Sequence, residues 1–160
     1  MDSNTPRIHS TLEDGYDFFI SDQWNKKYHF KINTFDVPSG LLSEAYEVLE
    51  INADDEPRIF HVISNYDADI EKAELQLKAK IKKGINKRYL ENNNGNYSIC
   101  NELEVAGRIL WDDLQVNTEF NHYFQIDGKK ITIEKFLNIL EGFEGYNFKF
   151  RIMDTTEDID

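Results

Sequence analysis

Residues 67–90 read DADIEKAELQLKAKIKKGINKRYL and carry the most regular hydrophobic pattern in the chain. Apolar side chains recur three or four residues apart, which predicts an amphipathic helix with one buried face. That face consists of Ile70, Ala73, Leu77, Ile81, Gly84 and Ile85. Acidic residues gather at the start of the stretch and basic residues at its end, an order that complements the helix dipole. The Asn92-Asn93-Asn94-Gly95 turn that follows is expected to stop the helix.

The residues before this helix have the patterns of strands. Tyr28, Phe30 and Ile32 alternate with polar neighbours, as in a half-buried strand. Residues 15–20 and 59–63 are short and rich in apolar side chains, and they are also predicted to be strands. Residues 41–51 fit either a helical stripe or a meander strand, and we interpret them as a strand. Residues 1–92 are therefore predicted to form an antiparallel β-meander packed on one long helix.

Residues 93–160 predict a second, smaller unit. Residues 97–99, 105–111 and 120–126 have strand character, and the last leads into Asp127-Gly128, a hairpin signal because both positions tolerate positive φ. A second helix follows with Thr132 as its N-cap and an apolar stripe of Ile133, Phe136, Leu137 and Leu140. Residues 146–152 alternate and predict a closing strand, and the acidic tail at 154–160 is expected to fray. The fold class is α+β, and this half is a strand–hairpin–helix–strand unit.

Composition restricts the location and the partners. No apolar run approaches the roughly 20 residues of a membrane span, and residues 1–12 lack the apolar stretch of a secretory signal. With Cys100 as the single cysteine, these features lead us to expect a cytoplasmic protein without an intrachain disulfide. The net charge of -12 disfavours direct nucleic-acid binding and suits either a basic protein partner or solubility alone. The oligomeric state stays open.

No catalytic motif is present in the sequence. The 8 glycines form no phosphate-binding fingerprint, and there is no Gly-x-Ser-x-Gly or His-Glu-x-x-His. His29 and His61 fall on predicted strands without a third metal ligand, and the acids near Cys100 should raise the pKa of its thiol. We therefore predict no catalytic residues, no metal and no cofactor. The candidate binding residues are Trp111, Asp112, Asp113 and Glu144. Asp112 and Asp113 follow Trp111 at a predicted strand end, where carboxylates could bind a cation or act as acid and base.

Several of these stretches resemble two known families. The meander and helix from Tyr28 to Leu90 are similar to one uncharacterised bacterial domain. Four stretches further along the chain are similar to a second such domain. They are Gly107-Arg108-Ile109-Leu110-Trp111-Asp112, Ile126-Asp127-Gly128-Lys129, Phe136 and Glu144-Gly145-Tyr146-Asn147-Phe148. The two domains occur joined in this order in bacterial proteins of unknown function, and the resemblance covers most of residues 16–153. Some relatives carry a Cys-rich segment ahead of the pair, which has no counterpart here, so the resemblance implies no metal and no activity.

Three hypotheses for function follow. The first is a small acidic non-enzymatic protein-binding module, such as an inhibitor, immunity-type or anti-defence factor of bacterial or phage origin, acting on a basic protein. The second is a DNA mimic, which requires carboxylates spaced like phosphates on one face. The third is an enzyme with an unrecognised carboxylate site around Asp112, Asp113 and Glu144, which a deep pocket joining those residues would favour.

Overall fold

The computed structural model describes residues 15–50, 55–114 and 120–159, which divide into two compact units. Of the described residues, the first unit contains 15–50, 57–86 and 153–159, and the second contains 55–56, 87–114 and 120–152. The chain therefore leaves each unit and returns to it. Whether either half folds on its own stays a prediction, as does the boundary after residue 92.

The first unit contains a four-stranded antiparallel meander. Its strands are β1 (Tyr16–Ser21), β2 (Lys27–Val37), β3 (Gly40–Glu47) and β4 (Ile59–Ser64), and they lie in sequence order across the sheet. Residues 41–47 are thus a strand, as the sequence was interpreted. The apolar residues of this stretch also fit the spacing of a helix. In β3, however, every second residue, such as Ala45, faces the core.

The long helix α1 (Ile70–Ile85) covers one face of this sheet. The Asp69 side chain caps its first turn by accepting a hydrogen bond from the Glu71 amide. Four residues of the predicted stripe, Ala73, Leu77, Ile81 and Ile85, are buried, whereas Ile70 and Gly84 are half-buried. The stripe packs against the inward side chains of β2. The fully buried members of this core are Phe30, Ile32, Ala45, Leu77, Ile81 and Ile85. Each large side chain contributes roughly 1.5–3 kcal/mol by its burial, which makes this core the main source of stability in the unit.

The second unit has two small sheets and a short helix. A hairpin pairs β5 (Leu90–Asn93) with β6 (Asn96–Ile99). A three-stranded antiparallel sheet contains β7 (Arg108–Trp111), β8 (His122–Ile126) and β9 (Lys129–Thr132) in that order. Helix α2 (Ile133–Leu140) and a 3-10 turn (Glu141–Phe143) follow. The buried centre is Leu90, Ile126 and Ile131, with Phe124 and Phe136 packed against it. The expectation that the asparagine-rich stretch stops the long helix is wrong, because α1 ends at Ile85 with Asn86 as its C-cap and the stretch forms the turn of the β5–β6 hairpin.

Two segments near the end of the described chain also differ from the sequence-based expectations. Residues 146–152 belong to none of the nine strands that the described residues form, so the predicted closing strand is wrong. Alternation shows only that a segment could have two unlike faces, whereas a strand also needs a neighbour for its backbone hydrogen bonds. The acidic tail was expected to fray, yet residues 153–159 lie in the first unit, where Thr155 and Glu157 carbonyls accept hydrogen bonds from Lys80 Nζ at 3.3 Å each.

Candidate functional site

Asp112, the central residue of the predicted site, is a structural carboxylate. It follows β7 in a turn, is buried, and accepts hydrogen bonds from Lys130 Nζ and from the Leu114 amide at 3.0 Å. The Asp112 amide in turn donates to the Asn121 carbonyl at 2.8 Å. The hydrogen bond from Lys130, together with that from Leu114, lowers the pKa of Asp112 below its ordinary value. This carboxylate is therefore ionised at neutral pH and cannot supply a proton there.

Lys130 and Tyr123 complete the surroundings of Asp112. The Lys130 ammonium lies 4.7 Å from the centre of the Tyr123 ring, so it contacts an aromatic face as well as a carboxylate. The Tyr123 hydroxyl donates to a Glu56 carboxylate oxygen at 3.1 Å. Burial, followed by the Glu56 contact, raises the pKa of Tyr123 to about 12. Polar contacts therefore link Asp112 to Lys130, Lys130 to Tyr123 and Tyr123 to Glu56 on one face of the small sheet.

The other three predicted site residues are exposed. Trp111 is 55% exposed and meets the His122 ring edge-on, with 4.9 Å between ring centres. Asp113 and Glu144 are exposed, and Glu144 comes directly after the 3-10 turn. Two open clefts among the described residues, of about 460 and 540 Å³, lie in the first unit and are lined by other residues.

The two strand histidines each pair with a carboxylate. His29 on β2 lies 2.8 Å from Asp17, and His61 on β4 lies 2.8 Å from Glu44. The hydrogen bond from His29 lowers the pKa of Asp17. The histidines are two strands apart in the sheet, and no group of three or more His, Cys, Asp or Glu side chains among the described residues could hold a metal ion.

Cys100 has the environment of an unreactive thiol. Burial raises the pKa of this thiol, and the nearby carboxylates of Glu91, Glu102 and Asp127 raise it further. The direction agrees with the sequence-based prediction, although Glu91 lies across the β5–β6 hairpin and could not be chosen from proximity in sequence. Since the thiolate is the nucleophilic form, a raised pKa disfavours covalent catalysis by this residue.

Helix α2 exposes a face that the sequence analysis assigned to the core. Phe136 packs inward, with its ring centre 4.9 Å from that of Phe124. Leu137 is 57% exposed and Leu140 is 40% exposed. Five of the eight helical residues are apolar, which is more than one buried stripe accommodates in so short a helix. That excess is the sequence signal that could have identified an outward apolar face.

Acidic side chains flank the exposed leucines. Glu134 and Glu141 lie three residues before and four residues after Leu137, so all three share one side of the helix and its continuing turn. Both carboxylates are exposed, as is Glu144 beyond them. We call Glu134, Leu137, Leu140, Glu141 and Glu144 the α2 outer face. It combines an apolar centre with an acidic margin.

The segment 146–152 is exposed throughout. Phe148 is 91% exposed, and Tyr146, Phe150 and Ile152 are 64%, 65% and 67% exposed. Only the start of the segment has a ring contact in the described part of the unit, between Phe143 and Tyr146 at 5.4 Å. A run of large apolar side chains so accessible to water is unusual on a monomer and is typical of a surface that another chain covers.

The fold described above is a mixed α+β chain that divides into two units. Comparison with family models finds two adjoining matches: residues 13–86 match a domain of unknown function, DUF7686, and residues 89–157 match a second one, DUF7713. The chain is therefore a pair of adjoining domains from these two families, and the resemblance to two joined uncharacterised domains is confirmed. No curated protein and no solved structure matches the chain. Neither helix of the described residues is long and apolar enough to cross a membrane.

Proposed function

We propose that this chain is a non-enzymatic protein-binding module that recognises a basic protein partner through the α2 outer face. The observation that supports the proposal is the exposed leucine pair, Leu137 and Leu140, with Glu134, Glu141 and Glu144 around it. Binding surfaces between proteins commonly have an apolar centre and a polar rim, and the centre supplies most of the affinity.

The rim charges favour a basic partner. Carboxylates at the margin of an interface attract a positively charged surface, accelerate association and disfavour acidic competitors. The remainder of the chain adds to this field, since its net charge is -12. An inhibitor, an immunity-type factor or an anti-defence factor acting on a basic enzyme is the class of protein that this surface would serve.

The other two hypotheses receive less support. An enzyme would need convergent groups with a free carboxylate, but Asp112 is hydrogen-bonded to Lys130, and it lines neither of the two open clefts described above. A DNA mimic would need an uninterrupted array of carboxylates. Asp17 instead faces His29 and Lys31, and Asp112 faces Lys130, so bases interrupt the acidic surface.

The proposal can be tested by affinity capture with the full chain. The wild type and the Leu137→Asp/Leu140→Asp variant are immobilised and exposed to lysate of the native host at low and high salt. We expect the wild type to capture a basic protein, the variant to capture at least about tenfold less of it, and high salt to weaken the capture. The weaker capture by the variant follows from the loss of the apolar centre, and the weaker capture at high salt follows from screening of the acidic rim.

Leu75→Asp is the matched control, because Leu75 is a leucine of similar exposure, 63%, on the other helix. It should capture the same protein as the wild type does. Equal capture by all three forms would contradict the α2 outer face as the binding surface. An acidic captured protein, or capture that salt does not change, would contradict the charge argument.

A further inference from the structure

We propose that residues 146–152 form a strand that pairs with β7 of a second copy of this chain. The segment reads YNFKFRI, so its apolar residues lie on one face and Asn147, Lys149 and Arg151 lie on the other. It has the sequence of an amphipathic strand and belongs to none of the strands in the described residues. A second chain can supply the neighbour that this strand lacks.

The sheet of the second unit has an edge that can accept such a strand. β7 is the first strand in the order β7-β8-β9, so one side of its backbone faces away from β8. An edge of this kind is a template for pairing with another chain. Ile109 and Trp111 of β7 are also 52% and 55% exposed, and they share the face of the sheet that carries Phe124. They provide an apolar surface on which the apolar face of the segment can pack.

The exposed area is sufficient for a dimer. Four side chains that are each about two-thirds exposed or more offer roughly 500–600 Å² per copy, taking 150–250 Å² for a large aromatic side chain. Two reciprocal contacts, with the surface of Ile109 and Trp111 included, bring the total to the range of roughly 1,200–2,000 Å² that stable interfaces bury. A twofold dimer uses both contacts and leaves neither segment open.

Charge selects β7 of a second copy over pairing of one segment with the other. The segment carries two basic residues, Lys149 and Arg151, and no acidic residue, within a chain of net charge -12. Symmetric antiparallel pairing of two segments about their centre would place Lys149 opposite Lys149, and like charges in that position are destabilising. The end of β7 is followed by the exposed carboxylate of Asp113. Because β7 begins with Arg108 and is followed by Asp113, pairing with it brings the basic segment near one charge of each sign and not only near a second copy of itself.

The oligomeric state of the purified full chain tests this inference, and it does so without the partner proposed above. We expect the wild type to sediment as a dimer at concentrations of about 10 μM and above. Phe148→Asp places a charge at the centre of the interface, and Ile109→Asp places one on β7. Each should weaken dimerisation at least about tenfold. Phe19→Asp is the matched control, because Phe19 is a phenylalanine exposed to 70% in the first unit, and this variant should remain dimeric.

Three results would overturn the inference. They are a wild type that stays monomeric at about 100 μM, a Phe148→Asp variant that dimerises as well as the wild type, and a dimer that Ile109→Asp leaves intact. Hydrogen exchange on the wild type gives a measurement that needs no variant. The amides of β7 and of residues 146–152 should exchange more slowly as the protein concentration rises, and equal exchange at low and high concentration would also refute the pairing.

Discussion

Asp127 shows how one residue acquires a role that its local sequence does not reveal. It occupies the hairpin turn with φ 54°, as its position before Gly128 predicts. Its carboxylate also accepts hydrogen bonds from the Leu90 amide at 2.8 Å and from the Tyr89 amide at 3.0 Å. Those amides come from β5 and the residue before it, so the turn residue also fixes another part of the unit. Sequence reasoning predicted the turn and missed this contact.

The lowered pKa of Asp112 predicts that the stability of the protein depends on pH. Its pKa is lowered in the folded chain, so it contributes stability above the ordinary pKa of an aspartate, and that contribution is lost as the pH falls through the lower folded value. Asp112→Asn removes the effect. We expect the wild type to exceed this variant in free energy of unfolding at neutral pH, and the difference to shrink below about pH 4.

Urea unfolding of both proteins between neutral pH and about pH 2 measures this difference. Asp113→Asn serves as the matched control, because Asp113 is the next residue and its side chain is exposed. A gap between wild type and Asp112→Asn that persists unchanged at the acidic end would show that the lysine contact does not act through the charge of Asp112.

At the scale of elements, α1 depends on a glycine for its close approach to the sheet. A Cβ atom at Gly84 would lie 2.5 Å from Cε1 and 2.9 Å from Cζ of Phe60. The Phe60 ring in turn packs edge-on against Phe30, with ring centres 5.8 Å apart, so it has little room to move. The sequence places Gly84 on the buried face correctly, but only the packing shows that no side chain fits there.

Gly84→Ala is therefore expected to destabilise the protein although alanine is the better helix former. Helix propensity favours alanine by about 1 kcal/mol, whereas overpacking costs about 1–3 kcal/mol. The difference predicts a net loss of up to about 2 kcal/mol in the free energy of unfolding, measured by urea denaturation.

Gly142→Ala is the control, since a Cβ at Gly142 meets nothing within 4 Å and the change should be close to neutral. In a Phe60→Leu background, which removes the outer ring atoms, Gly84→Ala should cost less than it does in the wild type. An equal cost in both backgrounds would mean that Phe60 is not the obstacle.

The two segments with period-two alternation illustrate why pattern alone is insufficient. Residues 28–33 lie within β2, between β1 and β3, where both sides of the backbone find partners. Residues 146–152 alternate as regularly and form no strand in the described chain. The difference is the presence of neighbouring backbone, which depends on where distant parts of the chain lie.

At the scale of the whole molecule, the end of the chain returns to the first unit. Lys80 Nζ donates to the His61 carbonyl at 2.8 Å and also to the carbonyls of Thr155 and Glu157. Burial lowers the pKa of Lys80 even though Asp158 and Asp154 act in the opposite direction. One lysine thus connects α1, β4 and the tail.

Removal of residues 153–160 should therefore destabilise the first unit. The lost hydrogen bonds to a charged donor predict a decrease of about 1–2 kcal/mol in the free energy of unfolding, measured by denaturant titration. In a Lys80→Met background the same truncation should cost less, because the contacts are already absent. Lys82→Met, at an exposed lysine of the same helix, is the control and should leave the cost of truncation unchanged. If removal of the tail left the free energy of unfolding unchanged, the contacts between the tail and Lys80 would contribute nothing to stability.

The sequence by itself determined the elements whose signals are local. The α1 stripe, the β2 alternation, the Asp127-Gly128 turn and the Thr132 cap each depend on residues within a few positions of one another, and the α+β class follows from them. Only the tertiary structure decided which partners meet: Asp112 with Lys130, Asp127 with the Leu90 amide, and the tail with Lys80. It also decided which apolar faces stay uncovered, on α2 and at 146–152. Burial and pairing are properties of two surfaces together, and a one-dimensional pattern describes only one of them.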